Sequence, residues 1–172
     1  MDFKYRHLLS ENYSPESRVW VYQASRLFAM TEALQVEEML NEFTKAWMSH
    51  GIKVKGEAYL FFGQFIIFLA DETATGVSGC STDSSVRLIK DIEQLFKVNM
   101  FDRNTLAFVI KDKVELLPLS QLQYAVDNNF LDANTHYFNN LVANKEELAK
   151  NWIIPLRDSW LAKRISFTKT VL

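Results

Sequence analysis

Two adjacent strands with apolar residues on both faces constrain the fold of this chain more than any other feature. They span 54–62 and 64–71 and are separated by Gly63. A strand with one solvated face alternates apolar and polar residues, whereas these runs are apolar at successive positions. We therefore predict a hairpin that turns at Gly63 and belongs to a sheet covered on both faces.

The flanking segments predict two helices and two further strands. Residues 18–23 are rich in β-branched and aromatic side chains and predict a strand, as do residues 105–110. Over 31–50 the apolar residues recur at helical spacing, with Thr31 as the expected N-cap and Gly51 as the stop. A second helix is predicted over about 84–97. The apolar positions of the first helix are Val36, Leu40, Phe43 and Trp47.

The resulting order over 18–111 is β-α-β-β-α-β, which predicts an α+β fold of the ferredoxin-like type. In that fold two helices cover one face of a four-stranded antiparallel sheet. We expect a single domain, 1–172, in which a mostly helical C-terminal extension, 112–172, packs on the core and buries Trp152 and Trp160. A homodimer is the competing cover, and a larger mixed α+β sheet is the alternative if residues 114–117 add a strand.

Composition excludes several classes of protein. With 48% hydrophobic residues the chain is too apolar for disorder. Nineteen basic and 21 acidic residues show no basic stripe, so no nucleic-acid partner is expected. One cysteine and three scattered histidines predict no disulfide framework, metal or cofactor. No secretory leader and no run long enough to span a bilayer is visible, so we expect a cytoplasmic location and no membrane partner.

The polar segment from Gly79 to Ser85 is the candidate site. It contains the only cysteine and precedes the second predicted helix, whose free N–H groups could bind an anion. A thiol at such a position can also become reactive. The alternative is structural, with a surplus of capping residues around a buried thiol. The spacing excludes a phosphate-binding P-loop and a tyrosine-phosphatase loop. The candidate ligand-binding residues are Gly79, Cys80, Ser81, Thr82, Asp83 and Arg87.

Several stretches together resemble one family of small bacterial proteins of uncharacterised function, some of which carry the description "ABC transporter ATPase". The resemblance extends over nearly the whole chain but implies no established activity or site. The residues themselves lack a Walker A loop, an ABC signature and a Walker B strand. The stretches that carry the resemblance are 19–23, 79–85, 138–142 and 152–160.

These observations lead to two functional hypotheses of different class. The first is a non-catalytic cytoplasmic binding or accessory protein, whose partner is a small anionic ligand at Gly79–Ser85 or another protein. The second is a thiol-dependent enzyme that uses Cys80 as its nucleophile or redox group. The exposure of the Cys80 side chain distinguishes them, because a buried thiol cannot react with a substrate.

Overall fold

The computed structural model describes residues 2–71 and 79–167, which form a mixed α+β structure. Four 3-10 turns are also present in this part of the chain, at Arg6–Leu8, Leu119–Gln121, Leu156–Asp158 and Trp160–Lys163. In chain order the helices and strands are β1 (Arg18–Gln23), α1 (Met30–Ala46), β2 (Met48–Ser49), β3 (Ile52–Lys53), β4 (Lys55–Phe61), β5 (Phe65–Asp71), α2 (Gly79–Phe96), β6 (Thr105–Ile110), β7 (Lys113–Pro118), α3 (Leu122–Asp127), β8 (His136–Phe138), α4 (Lys145–Asn151) and β9 (Ile153–Pro155).

The contacts divide the chain into two compact units. The N-terminal unit comprises Phe3–Asp102 and Asn140–Lys150, and the C-terminal unit comprises Met1–Asp2, Arg103–Asn139 and Asn151–Leu172. The partition places residues 103–111, which we had assigned to the core of a single domain, with the C-terminal unit. Each unit has its own sheet and its own apolar cluster.

The N-terminal unit is built on a three-stranded antiparallel sheet in the order β1-β5-β4. The hairpin predicted around Gly63 is confirmed. Phe62 and Gly63 have φ values of 56° and 62°, and the Gln64 N–H donates to the Phe61 carbonyl at 3.1 Å. Every residue of β5 is buried, so the sheet is covered on both faces as its composition predicted.

One face of this sheet is covered by α1 and α2. Side chains from both helices join those of β5 in a single apolar cluster, because their apolar positions recur at helical spacing. The members that are completely buried are Val36 from α1, Ile89 and Ile92 from α2, Ile66, Phe68 and Ala70 from β5, and Ala24, which follows β1.

The opposite face is covered by residues near the N-terminus, for which there was no signal in the sequence, together with α4, which belongs to the predicted extension 112–172. The ring of Tyr5 lies 5.9 Å from that of Phe61, and its hydroxyl donates to the Leu148 carbonyl at 2.5 Å. Phe3 packs on Phe62 at 5.0 Å. The residues near the N-terminus and α4 therefore contribute to the cover, which we had expected from residues 112–172 or from a second subunit.

The predicted fourth strand does not join this sheet. Thr105–Ile110 forms β6 as predicted, but β6 lies in a second antiparallel sheet of order β7-β6-β8-β9. The sheets therefore do not confirm the ferredoxin-like sandwich. The extension 112–172 is also not mainly a helical layer, because it supplies three of these four strands.

Two local causes explain this difference. The outer edge of β1 is already engaged, since the Val19 N–H donates to the Ala143 carbonyl at 2.9 Å and Arg18 forms a bridge with Asn144. Meanwhile β6 has a partner close in sequence. Lys111 and Asp112 adopt φ values of 49° and 59°, which close a two-residue hairpin with β7 at little cost in loop entropy.

The first helix differs from its prediction at both ends. Ala29 is the N-cap in place of Thr31, and its N–H donates to the Glu32 carboxylate at 2.7 Å. The helix ends at Ala46 and not near Gly51, because Trp47 turns into an extended conformation that leaves its side chain 1% exposed. Burial of this indole outweighs continuation of the helix.

The C-terminal unit has a smaller core around β6, β8 and α3. Trp152 is buried, as predicted, and packs on the Phe138 ring at 5.5 Å. Trp160 is half-buried, and its indole N–H donates to the Tyr137 hydroxyl at 3.3 Å. The fully buried apolar side chains of this core are Phe108, Leu156 and Leu161.

Candidate functional site

The segment singled out from the sequence lies at the start of α2. The helix is described from Gly79 onward, five residues before the predicted start at about residue 84. Thr82 and Asp83 therefore lie within the helix and not at its start. The side chains of Cys80 and Ser81 lie outside the described part of the chain, so the exposure and reactivity of the Cys80 thiol stay predictions.

The remaining side chains of this segment lie along the first turns of α2. Ser85 is buried and donates to the Thr82 carbonyl at 2.8 Å, a bond within the helix itself. Asp83 and Arg87 are both exposed and four residues apart, which places opposite charges on the same helical face. Neither of the two grooves described below is lined by these residues.

A larger concave site lies in the C-terminal unit, beside the hairpin of β6 and β7. We call it the hairpin groove, and its volume is about 560 Å³. The hairpin register places Phe108 opposite Glu115 and Ile110 opposite Lys113, so these side chains share one face of the sheet. The apolar residues that line this wall are Phe108, Ile110 and Leu117.

The second wall of the hairpin groove is set by the way α3 ends. Asn129 adopts a φ of 58°, its N–H donates to the Val126 carbonyl at 3.1 Å, and the Phe130 N–H donates to the Ala125 carbonyl at 2.8 Å. This pair of bonds is a Schellman motif with asparagine at the left-handed position. It turns the chain so that Phe130 and Leu131 line the groove.

The two apolar side chains of the second wall differ in exposure. Leu131 is 2% exposed, whereas Phe130 is 65% exposed although it lines the groove. A large apolar side chain held in solvent at the mouth of a concave apolar site is available to a ligand. Tyr124 is equally exposed at 65% but does not line the groove.

Three charged side chains surround the mouth of the hairpin groove. Lys111, Lys113 and Glu115 are exposed, and none of them forms an ion pair within the described residues. Two ammonium groups and one carboxylate leave a local excess of positive charge among the lining residues. The groove is therefore apolar inside and weakly cationic at its entrance.

A cluster of ionisable groups lies in the N-terminal unit and has a structural explanation. The Lys55 ammonium donates to the buried Asp71 carboxylate and to the Asn12 carbonyl, both at 2.8 Å, and lies 4.9 Å above the Tyr13 ring. It thereby ties the residues near the N-terminus to the sheet. Burial, with the charges of Glu57 and Asp71, raises the pKa of Tyr13 to about 12.

The neighbouring Tyr59 also has a raised pKa, and it contacts Glu57 directly. Its hydroxyl donates to the Glu57 carboxylate and accepts from the Ser10 N–H at 3.4 Å. Burial and the Glu57 carboxylate raise the pKa of Tyr59 above its ordinary value. Both phenols therefore keep their protons at neutral pH.

Within residues 2–71 and 79–167, no three histidine, cysteine or carboxylate side chains come together as a metal site. No helix in this part of the chain is both long and apolar enough to span a bilayer. No protein-family model, no curated protein and no solved structure matches the chain. The resemblance to small bacterial proteins therefore stays a prediction.

Sequence reasoning missed the hairpin groove, although weak signals for it exist. Lys111-Asp112 separates two apolar runs at the spacing of a tight hairpin, and Asn128-Asn129 follows a short amphipathic segment where a helix can stop. Neither signal identifies a binding site by itself. The groove forms only when the face of β6 and β7 meets the end of α3.

Proposed function

We propose that this protein is a non-catalytic binding protein whose hairpin groove holds a small amphipathic ligand with an apolar body and an acidic head group. The observation that carries the proposal is the groove itself, about 560 Å³ in volume and lined by Phe108, Ile110, Leu117, Phe130 and Leu131. Sites for small molecules typically measure about 300–1,000 Å³ and are mostly apolar with a few polar groups.

The polarity of the ligand follows from the mouth of the groove. Lys111 and Lys113 outnumber Glu115 among the lining residues. The attraction of an acidic head group to the two ammonium groups therefore exceeds its repulsion by the one carboxylate. Each of these contacts is solvated and contributes only about 0.2–1 kcal/mol. The apolar body therefore supplies most of the affinity, and the lysines select the head group.

The non-catalytic class is supported by the state of the ionisable groups. Four of the tyrosines in the described part of the chain have raised pKa values, Tyr5, Tyr13 and Tyr59 in the N-terminal unit and Tyr137 in the C-terminal unit, and burial is the largest cause for each. None of them lines the hairpin groove. We retain the cytoplasmic location inferred from the sequence as part of this proposal.

Calorimetric titration with three matched chains tests the proposal. Decanoate, decanol and decylamine share one apolar body and differ only in their head groups. We expect decanoate to bind best and decylamine worst, with about a threefold to tenfold difference in affinity between them. Equal affinity for the acid and the amine, or no binding of any of the three, would contradict the proposal.

Variants separate the two parts of the site. Lys113→Glu should reverse the preference between decanoate and decylamine, whereas Lys90→Glu, an equally exposed change on α2, should leave it unaltered. Phe130→Ala should weaken all three ligands, whereas Tyr124→Ala should weaken none. Thiol labelling of Cys80 across pH tests the enzyme alternative, which requires labelling with a lowered thiol pKa.

A further inference from the structure

The outer edge of β4 lies in a second groove, which we call the edge groove. It has a volume of about 370 Å³ and belongs entirely to the N-terminal unit. Its floor is the strand segment 58–61, and its walls come from α1 and from the turn Arg6–Leu8. The residues that matter here are Leu8, Glu37, Asn41, Ala58 and Leu60.

The backbone groups at this edge point away from the sheet. β4 is an outer strand of the order β1-β5-β4. The Phe61 carbonyl accepts from Gln64 in the turn towards β5, so Phe61, Tyr59 and Glu57 direct their N–H and C=O groups at β5. Successive residues of a strand alternate, so Ala58 and Leu60 present theirs outward.

The same alternation of backbone groups holds at the opposite edge of the sheet, where another segment of the chain accepts a hydrogen bond. The Ala24 N–H donates to the Gln64 carbonyl at 2.8 Å. Every second residue of β5 counted from Gln64 therefore directs its backbone N–H and C=O groups at β1. The backbone groups of Val19 on β1 accordingly point away from β5, and the Val19 N–H donates to the Ala143 carbonyl at 2.9 Å. The β1 edge of the sheet is thus bonded at Val19 by the chain itself, and the β4 edge opens into a groove.

We propose that the edge groove binds an extended peptide segment of a partner protein, which adds to the sheet as a strand beside β4. Strand addition supplies main-chain hydrogen bonds at Ala58 and Leu60, while alternate side chains of the peptide meet the two walls. The groove between a helix and an outer strand has room for one chain. This inference concerns a different unit from the hairpin groove and is independent of it.

The two walls determine the chemistry of the peptide. Glu37 and Asn41 line the α1 wall, and Glu37 forms no ion pair within the described residues. Leu8 lines the other wall and is 52% exposed, while its neighbour Leu9 is buried and anchors the turn. A strand that alternates basic and apolar side chains complements both walls, with its basic groups on Glu37 and its apolar groups on Leu8.

Binding of short synthetic peptides to the full chain tests this inference. The probe alternates lysine and valine, and the comparison peptide alternates glutamate and valine. We expect the lysine peptide to bind and to slow hydrogen exchange of the Ala58 and Leu60 amides by about tenfold at saturation. Equal binding of the two peptides, absence of binding, or protection elsewhere in the chain would overturn the inference.

Two pairs of variants identify the walls. Glu37→Lys should weaken the lysine peptide by about fivefold to tenfold, whereas Glu38→Lys, the next exposed position on α1, should change affinity by less than about twofold. Leu8→Ala should weaken binding, whereas Leu141→Ala, at 61% exposure outside the groove, should not. Concentration-dependent protection of Ala58 and Leu60 without peptide would assign the edge to a second copy and overturn the proposal.

Discussion

Gly56 and Trp47 show how closely single residues are packed in the N-terminal unit. A Cβ atom at Gly56 would lie 2.6 Å and 2.7 Å from two carbons of the Trp47 ring. Trp47 is 1% exposed and packs against Phe43 and Phe68, so the indole has little space to move. A glycine on β4 is therefore required by the packing of a side chain and not by its own backbone angles.

We expect Gly56→Ala to lower the free energy of unfolding by about 1–3 kcal/mol, the usual cost of overpacking a filled core. Denaturant unfolding measures this change. In a Trp47→Leu background the same substitution should cost less, because the atoms that oppose the new methyl group are absent. Equal cost in both backgrounds would show that Trp47 is not the cause.

The N-terminus of α1 is held in place by the carboxylate of one side chain. Glu32 binds the Arg26 guanidinium at 2.7 Å and 2.9 Å and accepts the Ala29 N–H at 2.7 Å. Arg26 also donates to the Phe96 carbonyl at 2.6 Å, where α2 ends. One ion pair thus fixes the beginning of the first helix and the end of the second.

This arrangement predicts a pH dependence. The Arg26 hydrogen bond and the Ala29 N–H lower the pKa of Glu32 from 4.5 to about 2. Because the folded-state pKa is below the unfolded one, the stabilisation is present above about pH 4.5 and is lost as the pH falls towards 2. Glu32→Gln should therefore be less stable at neutral pH, with the difference disappearing near pH 2.

Unfolding followed across this pH range measures the effect of Glu32. Glu38→Gln is the matched control, since Glu38 is exposed on the same helix and forms no ion pair among the described residues. The control should follow the unaltered chain at every pH. A Glu32→Gln deficit that persists at pH 2 would mean that the carboxylate charge is not what stabilises the helix.

Local signals in the sequence were sufficient for most elements. The hairpin at Gly63 and the strand Thr105–Ile110 follow from short apolar runs and a single turn residue. The sequence did not decide the partner of Thr105–Ile110, because the edge of β1 is engaged by residues 143–144, which are distant in sequence, whereas β7 follows β6 directly. The engaged edge at Val19 and the tight turn at Lys111-Asp112 decided it.

Less of the candidate site than of the fold could be predicted from the sequence, because a site depends on how separate elements meet. The polar residues around Cys80 stand out in the sequence, yet Thr82, Asp83 and Arg87 lie within one helix and line neither of the two grooves. The hairpin groove is lined by ordinary apolar residues such as Phe108 and Leu131. Their role arises from the meeting of two elements and leaves no local pattern.

At the largest scale, residues 145–161 contribute buried side chains to both units. Leu148 on α4 is completely buried in the N-terminal unit, whereas Trp152, Leu156 and Leu161 are completely buried in the C-terminal unit. The chain therefore cannot lose its last segment without opening two cores. This arrangement explains why the units are not consecutive in sequence.

A chain truncated after residue 144 should aggregate, because each unit loses fully buried apolar side chains. Light scattering and circular dichroism of the purified product measure this outcome. Leu148→Ala in the full chain is the milder comparison and should cost about 2–5 kcal/mol while leaving the protein soluble. A soluble, folded truncation would contradict the packing described for both units.

The central claim is that the hairpin groove holds a small amphipathic acid, and amide chemical shifts in the presence of decanoate test it most directly. The account predicts that the largest changes occur at Lys111–Lys113 and Asn129–Leu131, which form the mouth and the second wall. It also predicts that Phe130→Ala reduces these changes and that Tyr124→Ala preserves them. Changes centred on Thr82–Arg87, or no localised changes, would contradict the claim.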